Sequence, residues 1–352
     1  MDKVQTVVIG AGVIGLSCAR ALAKAGHEVI LIERCNSIGQ GTSSRNSEVV
    51  HAGIYYPKDS LKAKLCVRGR QMLYQFCDER HVDYNKCGKL IVATESDPNK
   101  VSWKGDENAS VKLKELYRSG LDNGVHDLKL ISKEEVFDLE PNVHCSEALW
   151  SPSTGVVDSH SFMLSLLADA EEHGAMLALN SKVQNIRYNY QTNRNEVDIV
   201  DVNDDDDYKL CRHSASNAPS VMRLSCENVV NAAGLSAPEI SGQMTGAVTA
   251  SILPKKHYFA KGNYFRLTGQ QSPFSKLVYP VPEPGGLGVH ATIDLEGQCR
   301  FGPDVEWIDP EVNVDEINYD VNSEKAKAFY SEIRKYWPDL SDEALEPDCK
   351  SH

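Results

Sequence analysis

The chain has no apolar run approaching the roughly 20 residues that a membrane-spanning helix needs, so no transmembrane segment is expected. It also lacks a basic excess. Asp and Glu number 50 against 37 Lys and Arg, a formal net charge of −13, and non-specific nucleic-acid binding needs a basic face. Ten cysteines stand at 18, 35, 66, 77, 87, 145, 211, 226, 299 and 349 with no C-x-x-C pair and no regular spacing. That pattern excludes a zinc ribbon or a disulfide frame and points to reduced thiols of an intracellular protein. No internal repeat is present. No signal peptide or Arg-rich presequence precedes the first apolar run, so the expectation is a cytosolic protein or an N-terminal extension outside this sequence. With 352 residues, 41% hydrophobic and 25% charged, the chain can bury one large core or form two domains.

The most informative stretch is VVIGAGVIGLSCARALAKAGHEVILIE, residues 7–33. A short apolar run ends at Ile9, and Gly10, Gly12 and Gly15 follow in G-x-G-x-x-G spacing. Leu16, Ala19, Leu22 and Ala23 recur on one helical face, Gly26 ends the helix, and a second apolar run, Val29 to Ile32, stops at Glu33. Together these form a βαβ unit with an acid about 20 residues past the glycines, the dinucleotide fingerprint. Gly10 permits the tight turn, Gly12 lets backbone approach a pyrophosphate, and Gly15 lets helix and strand pack closely. The helix N-terminus offers N–H groups and a positive dipole end to phosphates. Glu33 suits the ribose hydroxyls, and its charge repels a 2′-phosphate.

Downstream, residues 59–80 have a helical pattern with Leu61, Leu65, Met72, Leu73 and Phe76 as the apolar stripe. Lys89 to Thr94 reads as a strand, residues 95–110 as a loop, and Val111 to Ser119 as a helix. Ser132 and Glu135 resemble a capping box, and Asp158 a cap for a helix reaching His173. Residues 191–220, with Asp204 to Asp207 and a Ser/Asn/Pro run, suggest a mobile surface insertion rather than a metal site, because four adjacent acids cannot all face one ion. No metal is expected. A strand resumes at Val229 and ends in Ala232, Ala233 and Gly234. From Lys255 the pattern turns to β, with strands expected at 257–259, 262–267, 277–281, 288–293 and 298–302. An amphipathic helix is expected from Ser323 to Tyr336.

The fingerprint alone does not separate NAD from FAD. An NAD dehydrogenase usually continues with further βα units. Here the second strand gives way to a Ser/Arg/Asn loop, and another strand for that sheet arrives some two hundred residues later. An interleaved domain of this kind favours a flavin, whose ring extends under a second domain.

The fingerprint together with SSRNSEVVHAGIYYP, SLKAKLCVRGR, CGKLIVAT, VVNAAGL, KLVYPVPEPGGLGVH and FGPDVEW resembles the FAD-dependent L-2-hydroxyglutarate dehydrogenases, in their plant-type form. These belong to the D-amino-acid-oxidase-like flavoprotein superfamily. The likeness covers nearly all of the chain apart from 191–220. It implies an α/β plus α+β fold, in which a Rossmann-like FAD-binding domain (1–80 and 155–245) interleaves with a mainly antiparallel β substrate domain (81–154 and 246–340). It also implies oxidation of L-2-hydroxyglutarate to 2-oxoglutarate, hydride passing from C2 to flavin N5. Electrons then go to an acceptor other than nicotinamide, and family members are typically mitochondrial. Arg34, Ser44, Arg45, Asn46, Ser47, Val183, Ala233 and Gly234 become expected FAD contacts beside Gly10, Gly12, Gly15 and Glu33.

The implied chemistry needs a base for the C2 hydroxyl proton, cations for two carboxylates, and a closed site. His51 and His290 are the rival bases, since imidazole titrates near neutrality; each is equally compatible with simple packing. Tyr56, Lys261, Tyr264 and Arg266 are candidates for substrate carboxylates, against a reading as ordinary sheet surface. One departure stands out. In the family, the Leu-Glu-Pro run at 345–347 normally precedes an Arg-bearing strand, a glycine-rich loop and a last helix, where this sequence has Asp348 to His352. The alternatives kept open are an amine or amino-acid oxidase of the same superfamily, or a catalytically impaired shortened form.

Overall fold

The computed structural model describes residues 2–94, 109–202, 221–246, 257–281 and 288–348. The chain opens as β1 (Asp2–Ile9), α1 (Val13–Lys24) and β2 (Val29–Ile32), the unit that the glycine spacing predicts. Leu16, Ala19 and Ala23 bury one face of α1, with Leu22 half-buried beside them. Next come β3 (Val49–Val50) and α2 (Leu61–Arg80), whose start is capped by Ser60 Oγ accepting the Ala63 N–H at 3.1 Å. β4 (Tyr84–Asn85), β5 (Lys89–Ala93), α3 (Ala109–Asp122), β6 (Lys129–Ser132) and α4 (Lys133–Leu139) follow. The Ser132/Glu135 capping box is complete, each side chain bonding the other's backbone N–H.

β7 (Glu147–Ser151) and β8 (Gly155–Val157) lead to α5 (Ser159–Glu172), capped by Asp158 accepting the Ser161 N–H at 2.9 Å. The chain then runs through β9 (Met176–Ala178), β10 (Ser181–Asn189), β11 (Arg194–Asp201), β12 (Val221–Asn231), α6 (Ala237–Gln243) and β13 (Met244–Thr245). The last described stretches hold β14 (Ala260–Lys261), β15 (Phe265–Leu267), β16 (Leu277–Pro280), β17 (His290–Ile293), β18 (Cys299–Gly302), β19 (Glu306–Trp307), α7 (Ala326–Ile333) and β20 (Leu345–Pro347).

Two large sheets carry these elements. The first has the order β13-β10-β11-β12-β1-β2-β9, with β1 between β2 and β12 and parallel to both. The late strand expected near Val229 is therefore the neighbour of the first strand, and Ala232 N donates to Ile9 O at 2.9 Å. The second sheet has the order β20-β15-β18-β17-β16-β5-β7-β6. It is antiparallel except where β16 runs parallel to β5, pairing Leu277 with Lys89 and Tyr279 with Ile91. One face of this sheet packs Leu90, Val278 and Phe301 against Phe329 and Ile333 of α7. The other packs Ile91, Leu277 and Tyr279 against Leu113 of α3 and against Ala52 and Ile54. The segment after β3 is thereby pressed onto the second sheet.

Four expectations need correction. Residues 194–201 are not part of a mobile insertion but form β11, central between β10 and β12. Val197 and Ile199 point into the core, and Asp198 is neutralised by Arg187 at 3.2 Å and Arg223 at 2.5 Å; averaging with the polar residues beyond hid the alternation. The run Asp204 to Asp207 lies outside the described residues. On α2, Leu61, Leu65 and Met72 are 76%, 61% and 55% exposed. Of the expected stripe, Phe76 is buried and Leu73 half-buried; the helix otherwise buries Ala63, Tyr74 and Cys77, with Val67 half-buried. Residues 257–259 are not a strand, which begins at Ala260, and 323–325 form a 3-10 turn before α7. The loop expected at 95–110 lies outside the described residues except for its last two, which open α3.

Among the described residues, Cys18, Cys35, Cys66, Cys77, Cys87, Cys145, Cys226 and Cys299 are free thiols.

Candidate active site

At the end of β1 the chain turns through Gly10, whose φ of +96° suits a residue without Cβ. A Cβ on Gly10 would lie 2.6 Å from Ala232 O, and one on Gly15 would lie 1.8 Å from Gly10 O. The turn, the start of α1 and the end of β12 thus meet as bare backbone. α1 starts at Gly12, which has no side chain to cap it, and its first turn carries no acid. Ser43 Oγ accepts the Val13 N–H at 3.0 Å. Glu33, half-buried at the end of β2, accepts from Ala11 N at 2.7 Å and from Cys35 N at 2.9 Å. Each carboxylate oxygen keeps further acceptor capacity for a hydroxyl.

A second cluster forms where the segment 51–56 covers the second sheet. Tyr279 on β16 and His290 on β17 stack with ring centroids 3.6 Å apart and planes within 8°. Lys89, the first residue of β5, is 1% exposed, and its Nζ lies 4.7 Å from the Tyr55 ring centroid and 4.6 Å from that of Tyr279. Cys66 on α2 donates to His51 O at 3.5 Å, and Lys62 Nζ sits 4.8 Å from the Tyr56 ring centroid. Burial pulls the His51 imidazolium down to about 4, helped by the nearby charges of Lys89 and Lys62. Burial pulls the Lys89 ammonium to about 7, with the Cys66 thiol opposing. Burial also raises the Tyr55 and Tyr279 hydroxyls, so both rings stay neutral. Asn123 fixes the covering segment by donating to Gly53 O at 3.1 Å and Tyr56 O at 2.9 Å.

A family model described as FAD dependent oxidoreductase matches residues 5–350. The chain is 42% identical to the mitochondrial L-2-hydroxyglutarate dehydrogenase of Arabidopsis thaliana, over 98% of this chain and 72% of that one. The chain belongs to the FAD-dependent oxidoreductases and, among them, to the L-2-hydroxyglutarate dehydrogenase family. The Homo sapiens mitochondrial relative of that name is 30% identical over 84% of this chain, which spans 60% of its length. Among solved structures, an L-alpha-glycerophosphate oxidase from Mycoplasma pneumoniae with FAD bound matches with a TM-score of 0.78, covering 98% of this chain and 82% of that one. Its 21% identity speaks for the fold alone.

The cradle at Gly10, Gly12, Gly15 and Glu33 fits the AMP half of FAD in this flavoprotein family. Bare backbone lies at the helix start, and an acid ends the second strand, where the fingerprint asks for a ribose partner. Ala233 and Gly234 close the same corner, and Gly234 has a φ of +56°. Val183 is buried on β10 in the core shared with Ile9 and Ile32.

The expected flavin loop is held by its own contacts. Ser44 Oγ donates to Gly41 O at 2.9 Å, Asn46 Nδ2 donates to Ser43 O at 2.8 Å, and Ser47 is half-buried between them and β3. Arg45 donates to Gln40 O at 2.6 Å and lies over the Tyr319 ring, while Arg34 pairs with Asp315 at 2.6 Å. Both arginines therefore tie this loop to the segment around Asp315 and Tyr319.

The substrate candidates separate into two groups. Tyr56 lies in the cluster with His51, and Tyr264 stands near Tyr279, its hydroxyl raised to about 12 by burial against the opposing charge of Arg300. Lys261 instead donates to Asn318 O at 3.2 Å and Asp320 O at 3.0 Å, and Arg266 pairs with Glu346 at 2.7 Å on the exposed side of β15. Sequence reasoning missed Lys89, Tyr55, Cys66 and Tyr279. The lysine opening CGKLIVAT was legible as a cation entering a wholly apolar strand, but its face depends on the β5–β16 pairing. Asp169, Glu172 and His173 lie close enough to suggest a cation site, but Asp169 already pairs with Arg20, Arg80 and Lys24.

Proposed function

We propose that this protein oxidises L-2-hydroxyglutarate to 2-oxoglutarate in the mitochondrion and passes the electrons to an acceptor other than nicotinamide. The observation that carries this reading is the cluster around His51. An imidazole, a buried cation and tyrosine rings meet on the segment that leaves the nucleotide cradle. When bound, FAD supplies the two-electron acceptor for the hydrogen leaving C2.

The protein's own groups divide the remaining tasks. His51 is the base for the C2 hydroxyl proton. Held well below its ordinary range by burial, Lys89 and Lys62, it is neutral at neutral pH and has a free acceptor lone pair. The substrate's two negative charges offset those cations, which raises the basicity of His51 only when substrate is in place. His290, 4% exposed and stacked flat on Tyr279, supports the wall of the site. Tyr56 and Tyr264 offer neutral hydroxyls to a carboxylate. Lys261 and Arg266 are already engaged and take less part. The segment 51–56, pressed onto the second sheet, excludes water from the reacting carbon.

The test is anaerobic addition of L-2-hydroxyglutarate to the FAD-loaded protein. The flavin absorbance should bleach, with one 2-oxoglutarate formed per flavin. Protein that stays oxidised with this substrate, yet bleaches with an amine or amino acid, overturns the proposal in favour of an amine oxidase.

A further inference from the structure

We infer that Lys89 is a substrate-binding cation, whose ammonium receives one carboxylate of the dicarboxylate deep in the site. This deepens the function proposed above and rests on it. Lys89 begins an interior strand of the second sheet, paired with Leu277 on one side and Ser151 on the other. Its side chain shares the sheet face of Ile91 and Tyr279 beneath the covering segment. At 1% exposure it has lost its water, and what stands against it is two ring faces, with the Cys66 thiol near enough to act on its charge. Among the described residues no carboxylate pairs with it.

Ring faces compensate a buried ammonium only in part, so the free protein holds an under-neutralised charge. A methionine would fill the same volume without that cost. Such a cation is complementary to an anion that arrives from outside, and this protein's proposed substrate carries two carboxylates. Lys89 also lies near enough to His51 to be the leading charge acting on it, so an anion seated on Lys89 reaches the atoms that react.

Tyr55 on the covering segment and Tyr279 on β16 face Lys89, with His51 and the Cys66 thiol of α2 near enough to share its charge. Arg70 and Lys62 of α2 act on Cys66, Tyr56 lies beside Lys62, and His290 on β17 stacks on Tyr279. Burial holds the Lys89 ammonium at about 7. At pH 8 it is mostly neutral, and an arriving carboxylate draws it back to the charged form, so binding takes up a proton. At pH 6 it is already charged, and uptake vanishes.

The experiment titrates 2-oxoglutarate, which cannot be oxidised here, into the FAD-loaded protein by calorimetry in buffers of differing ionisation heat. The wild type should take up close to one proton at pH 8. Lys89→Met should weaken binding at least tenfold and abolish that uptake, while its thermal midpoint stays at or above that of the wild type. Lys89→Arg should recover part of the affinity, and His51→Asn should keep the proton uptake. Unchanged affinity and uptake in Lys89→Met overturn the inference alone. So does a drop in thermal midpoint with 2-oxoglutarate affinity retained, which would make Lys89 a structural group. A wild type that neither binds 2-oxoglutarate nor bleaches with L-2-hydroxyglutarate overturns the proposed function as well.

Discussion

The glycine turn at the end of β1 and the polar cluster under segment 51–56 are built on opposite plans. The turn is made of backbone from consecutive residues, and its tolerances are steric: a single Cβ at Gly15 would sit 1.8 Å from a carbonyl oxygen. The cluster is made of side chains from five separate parts of the chain, and its tolerances are electrostatic. There burial, and after it the charges of Lys89 and Lys62, shift the titration of a histidine. The first arrangement is suited to a nucleotide whatever reaction follows. The second is the part that, on the proposed function, would set which reaction that is.

The strongest way to break this comparison is His51→Asn. Loss of a general base should slow anaerobic flavin reduction by about 10²–10⁴-fold. Flavin content should be unchanged, since His51 is not one of the residues that form the cradle; stopped-flow absorbance and the protein-to-flavin ratio report both. Gly15→Ala acts on the other region. Forcing a methyl into the contact with Gly10 O should cost about 1–3 kcal/mol of stability. It should yield flavin-poor protein, read from denaturant unfolding and the visible spectrum. Glu33→Gln is milder. With a charged acceptor lost, the FAD dissociation constant should rise about tenfold, on the order of 1.5 kcal/mol. Flavin that remains bound should be reduced at the wild-type rate.

The smallest effect is on pH dependence. His51 is held at about 4, below its ordinary value of 6.5. Between those values the unfolded chain binds more protons than the folded one, so the stability tied to a neutral His51 is complete above pH 6.5 and lost as pH falls towards 4. Because the ring is half-buried, the loss should be only on the order of 1 kcal/mol. It appears as a steeper fall of unfolding free energy between pH 7 and 4.5 in the wild type than in His51→Asn.

How far the chain could be read without its structure follows the same division. Gly10, Gly12, Gly15 and Glu33 were legible because their meaning depends on neighbours within one βαβ unit. The caps at Ser132 and Asp158 were legible for the same reason. The stripe on α2 was read correctly at Phe76 and misread at Leu61, Leu65 and Met72, because only tertiary packing, such as Tyr74 against Ser153 and Tyr84, selects which apolar positions are covered. β11 was missed because its partners are strands on either side of it in the sheet, and the alternation of Val197 and Ile199 was diluted by polar neighbours. Lys261 and Arg266 looked as available as any cation until the structure showed their acceptors.

The sequence by itself determined the dinucleotide cradle, because a turn that must bring backbone within contact distance of backbone is encoded in the residues of that turn. It also pointed to a flavin, through the late strand that completes the first sheet. Only the tertiary structure decided which cation lies beside His51. The side chain of Lys89 acquires its surroundings from the pairing of β5 with β16 and from a loop more than thirty residues away. A charge's effect depends on the water it has lost, and that is fixed only when the layers close.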